Sequence, residues 1–154
     1  MDRLDQLRDG RLLVIDYKSG TAESFRPLDE RPRQPQLLAY ALLAGDAVAG
    51  VAAVYLNADE NRWRGAAAED ALLPLPARGR APTAPWPELL THWRRVLERL
   101  LRDFAAGEAA VDPLPGACAS CTLAALCRVD PDRLQAPDPE FEAVAGADGA
   151  DHAA

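Results

Sequence analysis

The hydrophobic and polar positions of this chain fall into a few rhythmic stretches separated by turn residues. Leu12-Leu13-Val14-Ile15, bounded by Gly10 and Gly20, is a short apolar run that suits a buried strand better than a helix. Before it, Asp2, Leu4 and Leu7 lead into Asp9-Gly10, a dipeptide that favours a tight turn, so residues 2–8 and 11–17 are expected to form an antiparallel hairpin. Residues 21–33 are polar and arginine-rich and read as a loop. Pro35 suits a first helical turn, and Gln36 to Ala44 continue as helix formers until Gly45, with Leu38, Leu42 and Ala41 as the buried stripe. Residues 50–57 predict a central strand and 61–64 a shorter one. Residues 65–85, interrupted by Pro74, Pro76, Pro82 and Pro85, read as loop with a little strand near Leu72-Leu73. The clearest helix starts near Trp86-Pro87 and runs to about Ala106, ending at Gly107. Its apolar face is Leu89, Trp93, Val96, Leu97, Leu100, Leu101 and Phe104, opposite Arg94, Arg95, Glu98, Arg102 and Asp103. Beyond Val129 the chain offers little to bury, and residues 130–154 are expected to be an acidic, disordered tail.

Length suits one compact domain. No apolar run approaches the roughly 20 residues of a membrane span, and no leader pattern opens the sequence, so the expected setting is cytoplasmic, with no membrane partner. The net charge of −7 argues against a nucleic-acid partner only until its placement is considered. Seven acids (Asp130, Asp132, Asp138, Glu140, Glu142, Asp148 and Asp151) sit in the tail against Arg133 alone, which leaves the body near −1.

Candidate chemistry begins at the end of the first apolar run, Asp16-Tyr17-Lys18. Strand alternation puts Asp16 and Lys18 on one side and Tyr17 on the other. On these residues alone a strand-end ion pair is the simpler reading. Antiparallel pairing, however, brings Asp2 to the same end of the hairpin as Asp16, and two converging carboxylates repel unless a cation lies between them. Oxygen ligands of this kind suit Mg²⁺ or Mn²⁺. Such an ion lowers the pKa of a bound water and offsets charge on a phosphoryl oxygen, and a neighbouring lysine could orient or deprotonate that water. Together these parts describe phosphodiester hydrolysis. Gln36 and Tyr40, four apart, share one face of the first helix. Cys118, Cys121 and Cys127 lie within ten residues of one another, a grouping that fits metal or cluster ligation better than disulfides. His92 has no partner in sequence and is assigned no chemistry; His152 belongs to the tail.

Asp2, the hairpin to Asp16-Tyr17-Lys18-Ser19-Gly20, and then Gln36-Leu-Leu-Ala-Tyr40 resemble the PD-(D/E)XK nuclease superfamily, and more narrowly the RecB/AddB-type nuclease domains of bacterial DNA-break repair. The resemblance covers residues 1–129. It implies an α/β, restriction-endonuclease-like core with a central mixed sheet flanked by the 35–44 and 87–106 helices. The family's first helix would lie upstream of Met1, so the expectation is an N-terminally truncated domain lacking that helix. It implies that Asp2, Asp16 and the backbone carbonyl of Tyr17 face a Mg²⁺ or Mn²⁺ ion, with Asp5 as the rival to Asp2. Lys18 would serve the attacking water, and Gln36 and Tyr40 would position the lysine or the DNA. Arg26, Arg31, Arg33, Arg62 and Arg64 would contact phosphates. The cysteines resemble three of the four ligands of a [4Fe–4S] staple whose fourth cysteine lies upstream; this chain has only three. The implied activity is exonucleolytic DNA cleavage within a helicase–nuclease assembly. The alternatives are a catalytically inactive DNA-end-binding or scaffolding remnant and, third, a small zinc-binding interaction module.

Overall fold

The computed structural model of the chain describes residues 1–20, 22, 24–56, 61–74, 84–114, 117–118 and 121–128. It divides into two units, Met1–Gly107 and Glu108–Ala154. The first unit holds strands β1 (Arg3–Gln6) and β2 (Leu12–Ser19), helix α1 (Pro35–Ala44), strands β3 (Val48–Leu56) and β4 (Asn61–Ala67), and helix α2 (Trp86–Ala105). Among the described residues of the second lies a short helix, α3 (Ala124–Cys127). No helix among the described residues is long and apolar enough to cross a membrane.

The strands form one mixed sheet in the order β1-β2-β3-β4. β1 and β2 pair antiparallel, β2 and β3 parallel, β3 and β4 antiparallel. The parallel step demands a crossover, and α1 supplies it. This is the mixed sheet with helices that the resemblance implies. At the hairpin, Gly10 takes φ +88°, a conformation open to glycine, and its N–H donates to Leu7 O while Leu7 N–H donates to Arg11 O.

Alternation along the strands sorts the core into two faces. Val14, Val51, Ala53, Tyr55 and Ala66 pack with Leu37, Leu38 and Ala41 of α1 and with Leu89 and Trp93 of α2. Both long helices therefore lie on one side of the sheet. On the other side Ala52 and Ala67 pack with Leu73, Trp63 and Leu72. Trp93, fully buried, meets Phe25 and Trp86 edge to face and donates its indole N–H to Pro27 O at 2.6 Å.

Several sequence expectations are corrected. The buried stripe of α1 is Leu37, Leu38 and Ala41, with Leu42 only half-buried. Leu100, Leu101 and Phe104 are exposed, the last at 82 %; buried positions on α2 stop at Val96. A helix of 20 residues is about 30 Å long, and its last turns outrun the surface it packs on. The strand expected near Leu72-Leu73 is a single 3₁₀ turn, Asp70–Leu72. The loop before α1 is more firmly held than its polarity suggests, because Phe25 packs on Trp93 and Glu30 meets α2. The expected tail, residues 130–154, lies outside the described residues.

Candidate active site

The site grows from the C-terminal half of β2. Extending the antiparallel register of Arg3 with Ile15 by one residue sets Asp2 opposite Asp16. Asp16 in turn pairs with Ala53, and Ala53 with Arg64. Two residues along, Lys18 pairs with Tyr55, and Tyr55 with Arg62. Paired residues share a face, so these form two adjacent rows on the side of the sheet that carries α1. Asp5 pairs with Leu13 on the opposite face and binds Arg3 at 2.7 Å, which removes it from this group.

Asp16 is buried, at 4 % exposure, and both its oxygens meet cations. Lys18 Nζ stands 2.7 Å from Oδ2, and the α-ammonium of Met1 3.4 Å from Oδ1. A buried carboxylate requires such partners, since an unpaired charge there is costly. Lys18 also donates to Gln36 Oε1 at 2.7 Å, and Gln36 Nε2 donates to the Tyr40 hydroxyl at 2.6 Å. Asp16, Lys18, Gln36 and Tyr40 thus form one linked chain, with the Met1 ammonium at its Asp16 end. The hydrogen bond to Asp16 holds the Lys18 ammonium above the ordinary lysine range against the opposing effect of burial. Tyr40 first, then Asp16, likewise raises the Met1 ammonium.

Asp2 Oδ2 accepts the backbone N–H of Tyr17 at 2.8 Å. In a strand the N–H and C=O of one residue point to the same edge, so the Tyr17 carbonyl faces the β1 side next to Asp2. The ring of Tyr17 points away from the site and is 39 % exposed. Among the described residues no group of three or more His, Cys, Asp or Glu side chains could hold a metal ion. The donor set here is smaller: two carboxylates and a carbonyl. All are hard oxygens, and Asp16 is buried. This chemistry fits a divalent cation of the Mg²⁺ class.

The structure thus brings Asp2, Asp16, Tyr17, Lys18, Gln36 and Tyr40 together and sets Arg62 and Arg64 on the same face. Arg33 immediately precedes Gln34, the residue at the N-cap of α1; Arg31 and Arg33 are exposed and Arg26 is half-buried. Their loop is tied to α2 by Glu30, which pairs with both Arg95 and Arg99. Those arginines hold the Glu30 carboxyl down to about 2. Sequence reasoning missed this clamp because its two sides are far apart in the chain. In the second unit, Cys118, Cys121 and Cys127 are free thiols. Cys121 N–H donates to Cys118 O at 3.1 Å, Leu123 N–H lies 3.4 Å from Cys121 Sγ, and Cys127 ends α3.

No curated protein and no solved structure matches the chain. The sequence profile of the PD-(D/E)XK nuclease superfamily matches residues 1–128, a span that contains all of the described residues. The match spans the hairpin, the Asp-Tyr-Lys end of β2 and the Gln-Tyr face of α1. This chain belongs to the PD-(D/E)XK nuclease superfamily.

Proposed function

We propose that this chain is a metal-dependent DNA nuclease of the RecB/AddB type, an exonuclease that trims DNA ends during double-strand-break repair or recombination. The observation that carries the reading is the linked set Asp16–Lys18–Gln36–Tyr40 with Asp2 opposite Asp16, in a chain of a nuclease superfamily. Asp2, Asp16 and the Tyr17 carbonyl would hold Mg²⁺ or Mn²⁺. Bound there, the ion supplies a more acidic water and neutralises charge gathering on the phosphoryl oxygens.

The chain's own residues do the rest. Lys18, held protonated, donates to the attacking water or a phosphate oxygen and favours the charge that develops in the transition state. Gln36 holds the ammonium through its Oε1, and Tyr40 in turn accepts from Gln36. Arg62 and Arg64 lie on the face a DNA strand would cross, and with Arg26, Arg31 and Arg33 they would bind phosphates and set the register without reading sequence. A helicase or helicase–nuclease partner would feed DNA to the site. Cys118, Cys121 and Cys127 would provide three ligands of a [4Fe–4S] cluster, the fourth coming from outside this chain.

The alternative reading is a non-catalytic DNA-end-binding or scaffolding remnant of such a nuclease. Cleavage assays on labelled single- and double-stranded DNA separate the two. Cleavage that requires Mg²⁺ or Mn²⁺ and is lost in Asp16→Ala and Lys18→Ala supports the enzyme; binding without cleavage by the parent chain supports the remnant. Anaerobic purification followed by metal analysis tests the cysteines, because a cluster brings iron and visible absorbance, whereas the zinc-module reading predicts zinc and neither of these.

A further inference from the structure

α1 begins without the usual local support. Gln34 stands at the N-cap, but its side chain makes no capping hydrogen bond to the helix. Instead its Nε2 reaches across to β3 and donates to the Tyr55 hydroxyl at 2.9 Å. Both residues are buried, Gln34 at 9 % exposure and Tyr55 at 4 %. A buried amide and phenol meeting in this way are energetically committed to one geometry, because parting them strands polar groups away from water. Glutamine is a poor N-cap, so local helix chemistry does not account for the residue.

The position of the bond gives it a consequence. Tyr55 pairs with Lys18 on the adjoining strand, on the same face. Gln34 is separated by Pro35 alone from Gln36, the residue whose Oε1 receives the Lys18 ammonium. Pro35 restricts its own φ, so the backbone between the two glutamines has little freedom. A hydrogen bond from Gln34 to the lysine's strand neighbour therefore fixes where α1 starts along the sheet, and with it where Gln36 meets Lys18.

We propose that Gln34 and Tyr55 are positioning residues, a staple between α1 and β3 that sets Gln36, and through it Lys18, in line with Asp16. The inference rests on the nuclease reading for its catalytic consequence, but its geometric content can be tested without cleavage. Gln34→Ser breaks the staple while installing a better N-cap, so helix stability is kept or improved. Tyr55→Phe removes only the hydroxyl and retains the ring in the core.

In the full chain both variants are expected to melt within about 5 °C of the parent. The side-chain amide resonances of Gln36, assigned by their absence in Gln36→Met, should move towards those of a solvated amide in both. Displacing a catalytic group slightly is enough to lower kcat by about tenfold to a hundredfold, with KM changed by no more than about twofold. A purely structural role predicts instead that activity follows stability, so that Gln34→Ser cleaves like the parent. Gln36 resonances that stay at their parent positions in the folded variants overturn the staple. If the parent cleaves no DNA, the nuclease reading fails by itself and the amide resonances alone decide this one. If Tyr55→Phe does not fold, Gln34→Ser tests the staple through the same amide resonances and the same rate.

Discussion

Lys18 shows how much chemistry one side chain inherits from its neighbours. Asp16 binds it from the same strand and Gln36 from α1, so the ammonium is fixed in direction as well as in charge. Lys18→Met should lower kcat by about a hundredfold to a thousandfold, as expected for loss of a preorganised electrostatic donor, while DNA binding measured without metal changes little. A comparable loss of DNA affinity would instead make Lys18 a binding residue. Asp16 and Lys18 were legible in the sequence because strand alternation is a strict rule, and Gln36 and Tyr40 because i and i+4 share a helical face. Asp2 was preferred over Asp5 because its separation from Asp16 suits the family, and the register adds that Asp5 pairs with Leu13 on the far face. Gln34 was not legible: its partner is on another strand, and no local pattern announces a side chain that leaves its own helix.

Among the elements, β4 is constrained most sharply by a single position. A Cβ at Gly65 would lie 2.1 Å from the Val51 carbonyl oxygen and 2.8 Å from Ala52 Cα, both backbone atoms that cannot step aside. Gly65→Ala should therefore destabilise the fold by about 1–3 kcal/mol and, by displacing Arg62 and Arg64 beside it, weaken DNA binding. Denaturant unfolding and a binding titration measure the two effects; an unchanged midpoint would mean that β4 does not lie so close to β3. Leu37, fully buried under α1, should cost about 2–5 kcal/mol when cut to alanine. Phe104, 82 % exposed, should tolerate serine within about 0.5 kcal/mol. The contrast marks the limit of periodicity as a guide. The spacing of α2 revealed a continuous apolar face, but not how far along the helix a neighbour exists to cover it.

For the molecule as a whole, Glu30 links acidity to the arrangement of the arginine loop. Its carboxyl drops from an ordinary 4.5 to about 2, chiefly through Arg95 and then Arg99. Because the folded value lies below the unfolded one, the unfolded chain binds more protons between them. The clamp's contribution is therefore present above about pH 4.5 and is lost as pH falls towards 2. The pair is solvent-exposed and screened by salt, so its effect on stability is small. Thermal melts of the parent and Glu30→Gln should differ at pH 6 and converge as pH falls through that window; a difference that persists at low pH would contradict the clamp. Net charge also reads differently at this scale. With the acids concentrated after Val129 and arginines placed on the loop and on β4, an overall −7 is compatible with DNA binding that weakens as salt rises.

The most direct measurement is the rate at which the full chain shortens end-labelled linear DNA with Mg²⁺ or Mn²⁺, run beside Asp16→Asn and an EDTA control. The proposed exonuclease predicts progressive loss of nucleotides from DNA ends by the parent, none with EDTA, and a rate at least about a hundredfold lower for Asp16→Asn. Equal rates for parent and Asp16→Asn, or cleavage indifferent to the cation, would show that the carboxylate on β2 does not carry the reaction.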